Sequence, residues 1–170
     1  LTGTTHAYTI VIADGDATTT TAAELTTING KTTAAIDASA ITALASDTID
    51  NIKTLLTAGN DTDQFTAASF GSLTAVTVSD QTLDGSKLAA AIDEANSATD
   101  DTSVEFDISA ANTIEGSEAN FTALLTDDDN GQIDIDAQDI TVTGEISVDN
   151  ANLLDAATDG TIKASIPVIH

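Results

Sequence analysis

The sequence predicts an α/β fold: a repetitive helix–strand solenoid with a parallel β-sheet and helices along one side. Three observations point there. Short stretches of one pattern recur, namely Ile36–Thr42, Val78–Asp84, Ile108–Glu115 and Ile135–Thr141, each an apolar residue, a small polar run and a second apolar residue. Amphipathic helical patterns lie between them. Segments that alternate apolar and polar residues precede or overlap them. A strand–helix–strand order with short links favours parallel strands and right-handed crossovers. The same order also fits a compact α/β sandwich, which stands as the alternative.

The elements follow in order along one repeat domain, residues 1–170, with units near 7–20, 21–45, 46–85, 86–116, 117–144 and 145–170. The apolar run Tyr8–Ile12 opens the first unit. Thr21–Ile28 reads as a short helix, and Glu24 three residues after Thr21 completes a capping box. Asp47–Leu56 places Ile49, Ile52, Leu55 and Leu56 on one helical face. Residues 59–71 read as a polar insertion, because the anchors Ile36 and Val78 stand 42 residues apart while the later spacings, to Ile108 and Ile135, are 30 and 27. The latter two are typical of helix–strand repeats. Leu73–Val78 reads as a strand. Ser86–Ala95 reads as a helix with Leu88, Ala91, Ile92 and Ala95 inward, followed by a strand at Val104–Ile108. Ser117–Leu125 reads as a helix burying Phe121, Leu124 and Leu125, followed by a strand at Gln132–Asp136. Asp149–Ala157 reads as a helix burying Leu153, Leu154 and Ala157. A last, weaker copy of the recurring stretch lies at Gly160–Ile166. Each helix begins near Asp, Ser or Thr, whose side-chain oxygen can accept from the unpaired N–H groups of the first turn.

Composition narrows the function. The chain has 28 acidic residues against four lysines and no arginine, a formal net charge of −24. Binding a nucleic-acid backbone needs Lys and Arg to neutralise phosphate, so nucleic acid is excluded as a partner, and an anionic membrane surface is disfavoured for the same reason. Such a field keeps a protein soluble and strains its compact state; salt or divalent cations relieve it, which suits a salty or calcium-containing exterior. There is no Cys, Met or Trp, and only one Tyr and four Phe. Burial must come mainly from Ile, Leu, Val and Ala, side chains suited to thin repeated layers.

The segments Thr21–Thr33 (Thr-Ala-Ala-Glu-Leu-Thr-Thr-Ile-Asn-Gly-Lys-Thr-Thr) and Val148–Ile162 (Val-Asp-Asn-Ala-Asn-Leu-Leu-Asp-Ala-Ala-Thr-Asp-Gly-Thr-Ile) resemble repeat tracts of very large secreted bacterial surface proteins, especially those of marine cyanobacterial type. The resemblance implies an adhesin, surface-layer or extracellular-fibre role. Such proteins often carry calcium-binding Gly-Gly-x-Gly-x-Asp repeats; this chain has none.

The expected metal residues are Asp127, Asp128, Asp129, Asn130, Asp134 and Asp136, with calcium as the expected cofactor. Calcium takes six to eight oxygens, and the Asp127–Asp134 stretch supplies many. It is not an EF-hand: with Gly131 at the sixth position, Thr126 stands first and Ala137 last. A solvated acidic turn is the competing reading. Asp107 joins Asp134 and Asp136 in an expected carboxylate row on the solvent side. Further acidic pairs are Asp61 with Asp63 and Asp100 with Asp101. No catalytic residues are expected. His6 and His170 lie near the termini, and phosphate-loop, Gly-x-Ser-x-Gly and His-Glu-x-x-His patterns are absent. Asn60 and Asn120 head Asn-x-Thr triplets of the N-glycosylation type.

The expectation is therefore a non-enzymatic, extracellular or cell-surface structural module. Its partners are further copies docked head to tail, or adjoining repeats of a longer chain, met through the exposed strands at its two ends. A calcium-dependent adhesin or glycan-binding module, and more remotely an acidic hydrolase, are the alternatives.

Overall fold

A computed structural model describes residues 6–13, 18–67, 69–99 and 104–167. Among the described residues, five helices form where apolar residues recur at helical spacing: α1 (Ala22–Asn29), α2 (Ile49–Gly59), α3 (Gly85–Thr99), α4 (Glu118–Asp129) and α5 (Val148–Ala157). Their starts are fixed by side-chain caps. Thr21, Thr48, Ser117 and Ser147 each accept from a first-turn N–H, an interaction worth about 1 kcal/mol. The Thr21–Glu24 capping box forms as expected. The expected apolar faces are buried in α2 and α3, but in α5 only Leu154 is buried, while Leu153 points outward. Gly131, at φ +73°, follows the C-cap Asn130 of α4.

Among the described residues, seven short strands complete an α/β fold with two parallel sheets. They are β1 (Ala43–Asp47), β2 (Ala75–Val78), β3 (Thr82–Asp84), β4 (Glu105–Asp107), β5 (Thr113–Gly116), β6 (Asp139–Glu145) and β7 (Ile162–Ser165). One sheet runs β1-β2-β4 and the other β3-β5-β6-β7. Each strand thus pairs with the next strand of its own sheet along the chain, and each helix packs against the next helix, α1 on α2 through to α5.

The register explains the recurring stretches. Their apolar residues Ile36, Ile41, Val78, Leu83, Ile108, Ile114, Ile135 and Ile140 are all buried. Leu83 pairs with Ile114, Ile114 with Ile140 and Ile140 with Ile162, a row of branched side chains perpendicular to the strands. The first copy stands apart. Ile36 pairs with Phe65 and Ala43 with Ala75, so its neighbour is the 65–75 stretch and not the copy at 78–84. Phe65 and Phe70, from the residues expected as an insertion, are buried with ring centroids 5.2 Å apart. The segment Gln132–Asp136, expected as a strand, is irregular: Asp134 turns back to accept the N–H of Asp136 at 2.9 Å. Ile133 and Ile135 are buried nonetheless, and the N–H of Phe106 still donates to the Gln132 carbonyl at 2.7 Å.

Buried polar side chains tie successive layers together. The Ser69 hydroxyl donates to the Ile36 carbonyl at 2.9 Å. Gln132 donates to Asn96 at 2.7 Å. The Thr158 hydroxyl lies within hydrogen-bond reach of the carbonyls of Asp136 and Gln138, at 3.1 and 2.8 Å. Among the described residues no buried side-chain polar atom lacks a partner, as a stable interior requires.

Candidate functional site

Many of the acidic side chains have backbone N–H groups to serve. In or beside the recurring stretches, Asp37, Asp84 and Asp107 accept from the N–H of the serine two residues on, at 2.9–3.0 Å. These bonds hold their carboxyls below the usual range, the serine hydroxyl bond or bonds contributing most. Other acids reach across layers. Asp47 accepts from Ala23 N–H in the first turn of α1 at 2.8 Å, and Asp80 from Ile49 N–H in α2 at 2.7 Å. Glu118 accepts from the Ser147 hydroxyl, the Ser147 N–H and the Asn150 amide, and these bonds lower its pKa in that order. A carboxylate at a helix start also meets the positive end of the helix dipole.

The six expected metal residues do not converge on one point. Asp127, on α4, is half-buried and feels the charge of Asp93 on α3; burial first, then that charge, raises its carboxyl to about 6. Asp128 accepts from Ile135 N–H at 3.2 Å. Burial raises its pKa most, that bond lowers it, and Asp136, Asp134 and Asp129 raise it further. Asp129 is exposed, and Asn130 caps the end of α4 through its backbone. Asp107, Asp134 and Asp136 line one open groove of about 280 Å³; the first two are engaged in their own turns. Among the described residues, no three carboxylate or imidazole groups come together in a way that could hold a metal ion. A second groove, about 490 Å³, runs between α4 and α5 past Leu125, Asp128, Asp129, Asp136 and Leu153.

The remaining candidates fall apart in space or outside the described residues. Asp61 turns to the N–H of Asp63. His6 stacks edge-on against Tyr8. Asp100, Asp101 and His170 lie outside the described residues. Of the two Asn-x-Thr acceptors, Asn60 donates its amide to Glu94 at 2.5 Å, and Asn120 completes a capping box with Ser117.

The sequence reading did not single out the exposed apolar side chains. Among the described residues, four large apolar side chains are exposed: Val11 at 63%, Val148 at 55%, Leu153 at 56% and Ile166 at 49%. Val11 precedes α1 and is bridged to Asp37, Val148 and Leu153 belong to α5, and Ile166 follows β7. At the first end, Ile12, Thr20, Ala23, Glu24, Thr27 and Ile28 line an open groove of about 520 Å³ along the outer side of α1. At the other end β7 exposes Lys163, Ala164 and Ser165. The helical face of Leu153 carried the signal, but a lone helical pattern cannot say whether a further layer covers it.

Compared with known proteins, the chain matches no family model, no curated protein and no solved structure. Among the described residues no helix is long and apolar enough to cross a membrane.

Proposed function

We propose that this chain is a stretch of helix–strand solenoid whose work is mechanical: it extends a secreted surface protein or fibre and connects to what lies beyond each end. The observation that carries the reading is the confinement of exposed large apolar side chains to the first and last layers. Interior layers bury theirs against a neighbour on each side; the end layers have a neighbour on one side. A repeat array behaves in this way, each unit needing the next to cover its apolar face. The sequential pairing within both sheets, and the packing of each helix on the next, support it further. The acidic surface fits an extracellular setting where salt screens repulsion, and the resemblance to repeat tracts of large bacterial surface proteins points the same way.

Small-angle X-ray scattering tests the shape. A sphere-like domain of this length has a radius of gyration of about 15 Å. The solenoid reading requires a distinctly larger value and a skewed pair-distance distribution with one long axis. A bell-shaped distribution at about 15 Å ends the reading.

A further inference from the structure

We propose that Asn130–Gly131, at the end of α4, is a site of spontaneous covalent modification: the Gly131 backbone nitrogen attacks the side-chain carbonyl carbon of Asn130, and the turn ages into an aspartyl or isoaspartyl form. The site is independent of the solenoid reading.

The chemistry needs only water. The Gly131 amide gives up its proton to solvent base, and its nitrogen bonds to Cγ of Asn130. The side-chain nitrogen leaves as ammonia, and a succinimide ring results. Water then opens the ring. Opening at Cγ gives aspartate; opening at the main-chain carbonyl gives isoaspartate, whose backbone runs through the former side chain. A glycine in the second position favours closure because no Cβ shields the attacking nitrogen.

The sequence holds two Asn-Gly pairs, Asn29–Gly30 and Asn130–Gly131, and the structure separates them. Both attacking nitrogens are tied down: Gly30 N–H donates to the Thr26 carbonyl at 3.1 Å, and Gly131 N–H to the Asp128 carbonyl at 2.8 Å. Each ring can therefore close only when its helix end opens. The side chains differ. Asn29 donates its amide to Gln64 at 2.8 Å, and Gln64 donates in turn to Asp61 at 2.9 Å, which holds the Asn29 amide against the neighbouring turn. Asn130 is exposed, and its side-chain amide has no hydrogen-bond partner among the described residues. A carbon placed on Gly131 would find nothing within 4 Å, so the turn has room to swing.

The helix ends differ too. α4 finishes on Asp127, Asp128 and Asp129 with no basic residue, whereas α1 finishes on Thr26, Thr27, Ile28 and Asn29. Carboxylates at the negative end of a helix dipole weaken its last turn. Gln132 N–H does close α4 by donating to the Asp127 carbonyl at 2.9 Å. An apolar pair commonly clasps such an end; here the two residues are acid and amide.

The product falls where the fold depends on the backbone. Isoaspartate adds a methylene to the main chain and displaces the Gly131 and Gln132 N–H groups from their carbonyls. Just beyond, Gln132, Ile133 and Ile135 are buried, and Ile135 N–H donates to Asp128 at 3.2 Å. Ageing thus loosens the bend that leads from α4 to β6, and either product adds a negative charge to an acidic turn.

Peptide mapping by tandem mass spectrometry, on the folded chain kept in warm, mildly alkaline buffer, follows the loss of each amide. Asn130 is expected to convert at least about tenfold faster than Asn29, and the two to convert at like rates in the urea-unfolded chain. Asp129→Lys, at an exposed position, sets a favourable charge at the end of α4 and should slow Asn130 about threefold or more; unchanged circular dichroism checks that it folds. Aged wild-type protein should exchange the amide hydrogens of Gln132 and Ile135 faster than fresh protein, and aged Asn130→Gln should not. Equal rates at the two pairs in the folded chain, or an Asn130 that reacts only in urea, overturn the proposal. So does an Asp129→Lys chain that ages at the wild-type rate, since the end of α4 would then not govern ring closure.

Discussion

Asp127 allows a prediction whose sign depends on pH. Its carboxyl is half-buried between α3 and α4, near Asp93, and its pKa rises from 3.8 to about 6. The folded state therefore holds the proton more tightly than the unfolded chain. Below about pH 4 the group is protonated in both states and costs the fold nothing. Between about 4 and 6 only the folded chain is protonated, and the cost grows as pH rises. Above about 7 the group is ionised in both states and the folded state bears the whole penalty. At 1.36 kcal/mol per pKa unit the ceiling is about 3 kcal/mol; water reaching a half-exposed carboxylate reduces this to about 1–1.5 kcal/mol. Asp127→Asn removes the charge and keeps the shape. Urea unfolding of both chains at pH 4, 5, 6, 7 and 8 should show the variant more stable by about 1–1.5 kcal/mol at pH 8, with the difference closing towards pH 4. The comparison must be made as a difference, since the lowered carboxyls of Glu24, Asp37, Asp61, Asp84, Asp107 and Glu118 make both chains lose stability as pH falls through their folded pKa values. A pH-independent difference, or a variant less stable at pH 8, refutes the reasoning.

Four further substitutions probe the packing and the backbone. Ile114→Ala opens a cavity in the middle of the Leu83–Ile114–Ile140 row and should cost about 3 kcal/mol in urea unfolding, whereas Val148→Ala on the exposed end should change stability by less than about 0.5 kcal/mol. Gly160→Ala would set a Cβ 2.2 Å from the Gln138 carbonyl oxygen and 2.9 Å from the Asp139 nitrogen, both backbone atoms that cannot swing away. It should cost about 3 kcal/mol, with hydrogen exchange fastest in β7. Gly131→Ala, at φ +73° with open space around the new carbon, should cost only about 1 kcal/mol.

The helices were legible because their signals are local. Thr21 with Glu24, Ser117 at the start of α4, and the Ile49–Ile52–Leu55–Leu56 stripe lie within a few residues of each other and needed no knowledge of neighbours. The strands were less so. β3 and β5 contain three and four residues, too few for alternation to mark them, whereas alternation did mark the stretches that hold β2 and β4; the pairing of all of them depends on partners some 20–30 residues away. The apparent insertion at 59–71 followed from aligning Ile36 with Val78 by resemblance of sequence, while an isolated parallel bridge joins Ile36 to Phe65, whose local pattern is different. At the acidic turn, the carboxylates count the same on paper whether they surround an ion or accept from backbone amides. Only the direction of each side chain separates Asp128, bonded to Ile135 N–H, from Asp127, turned towards α3.

The borrowed caps impose an order on assembly. Ala23 N–H finds its carboxylate on Asp47, and Ile49 N–H on Asp80, so the start of each of these helices is completed by a residue that is synthesised later than the helix itself. A half-emerged chain keeps its newest turn frayed and waits for the following unit to close it.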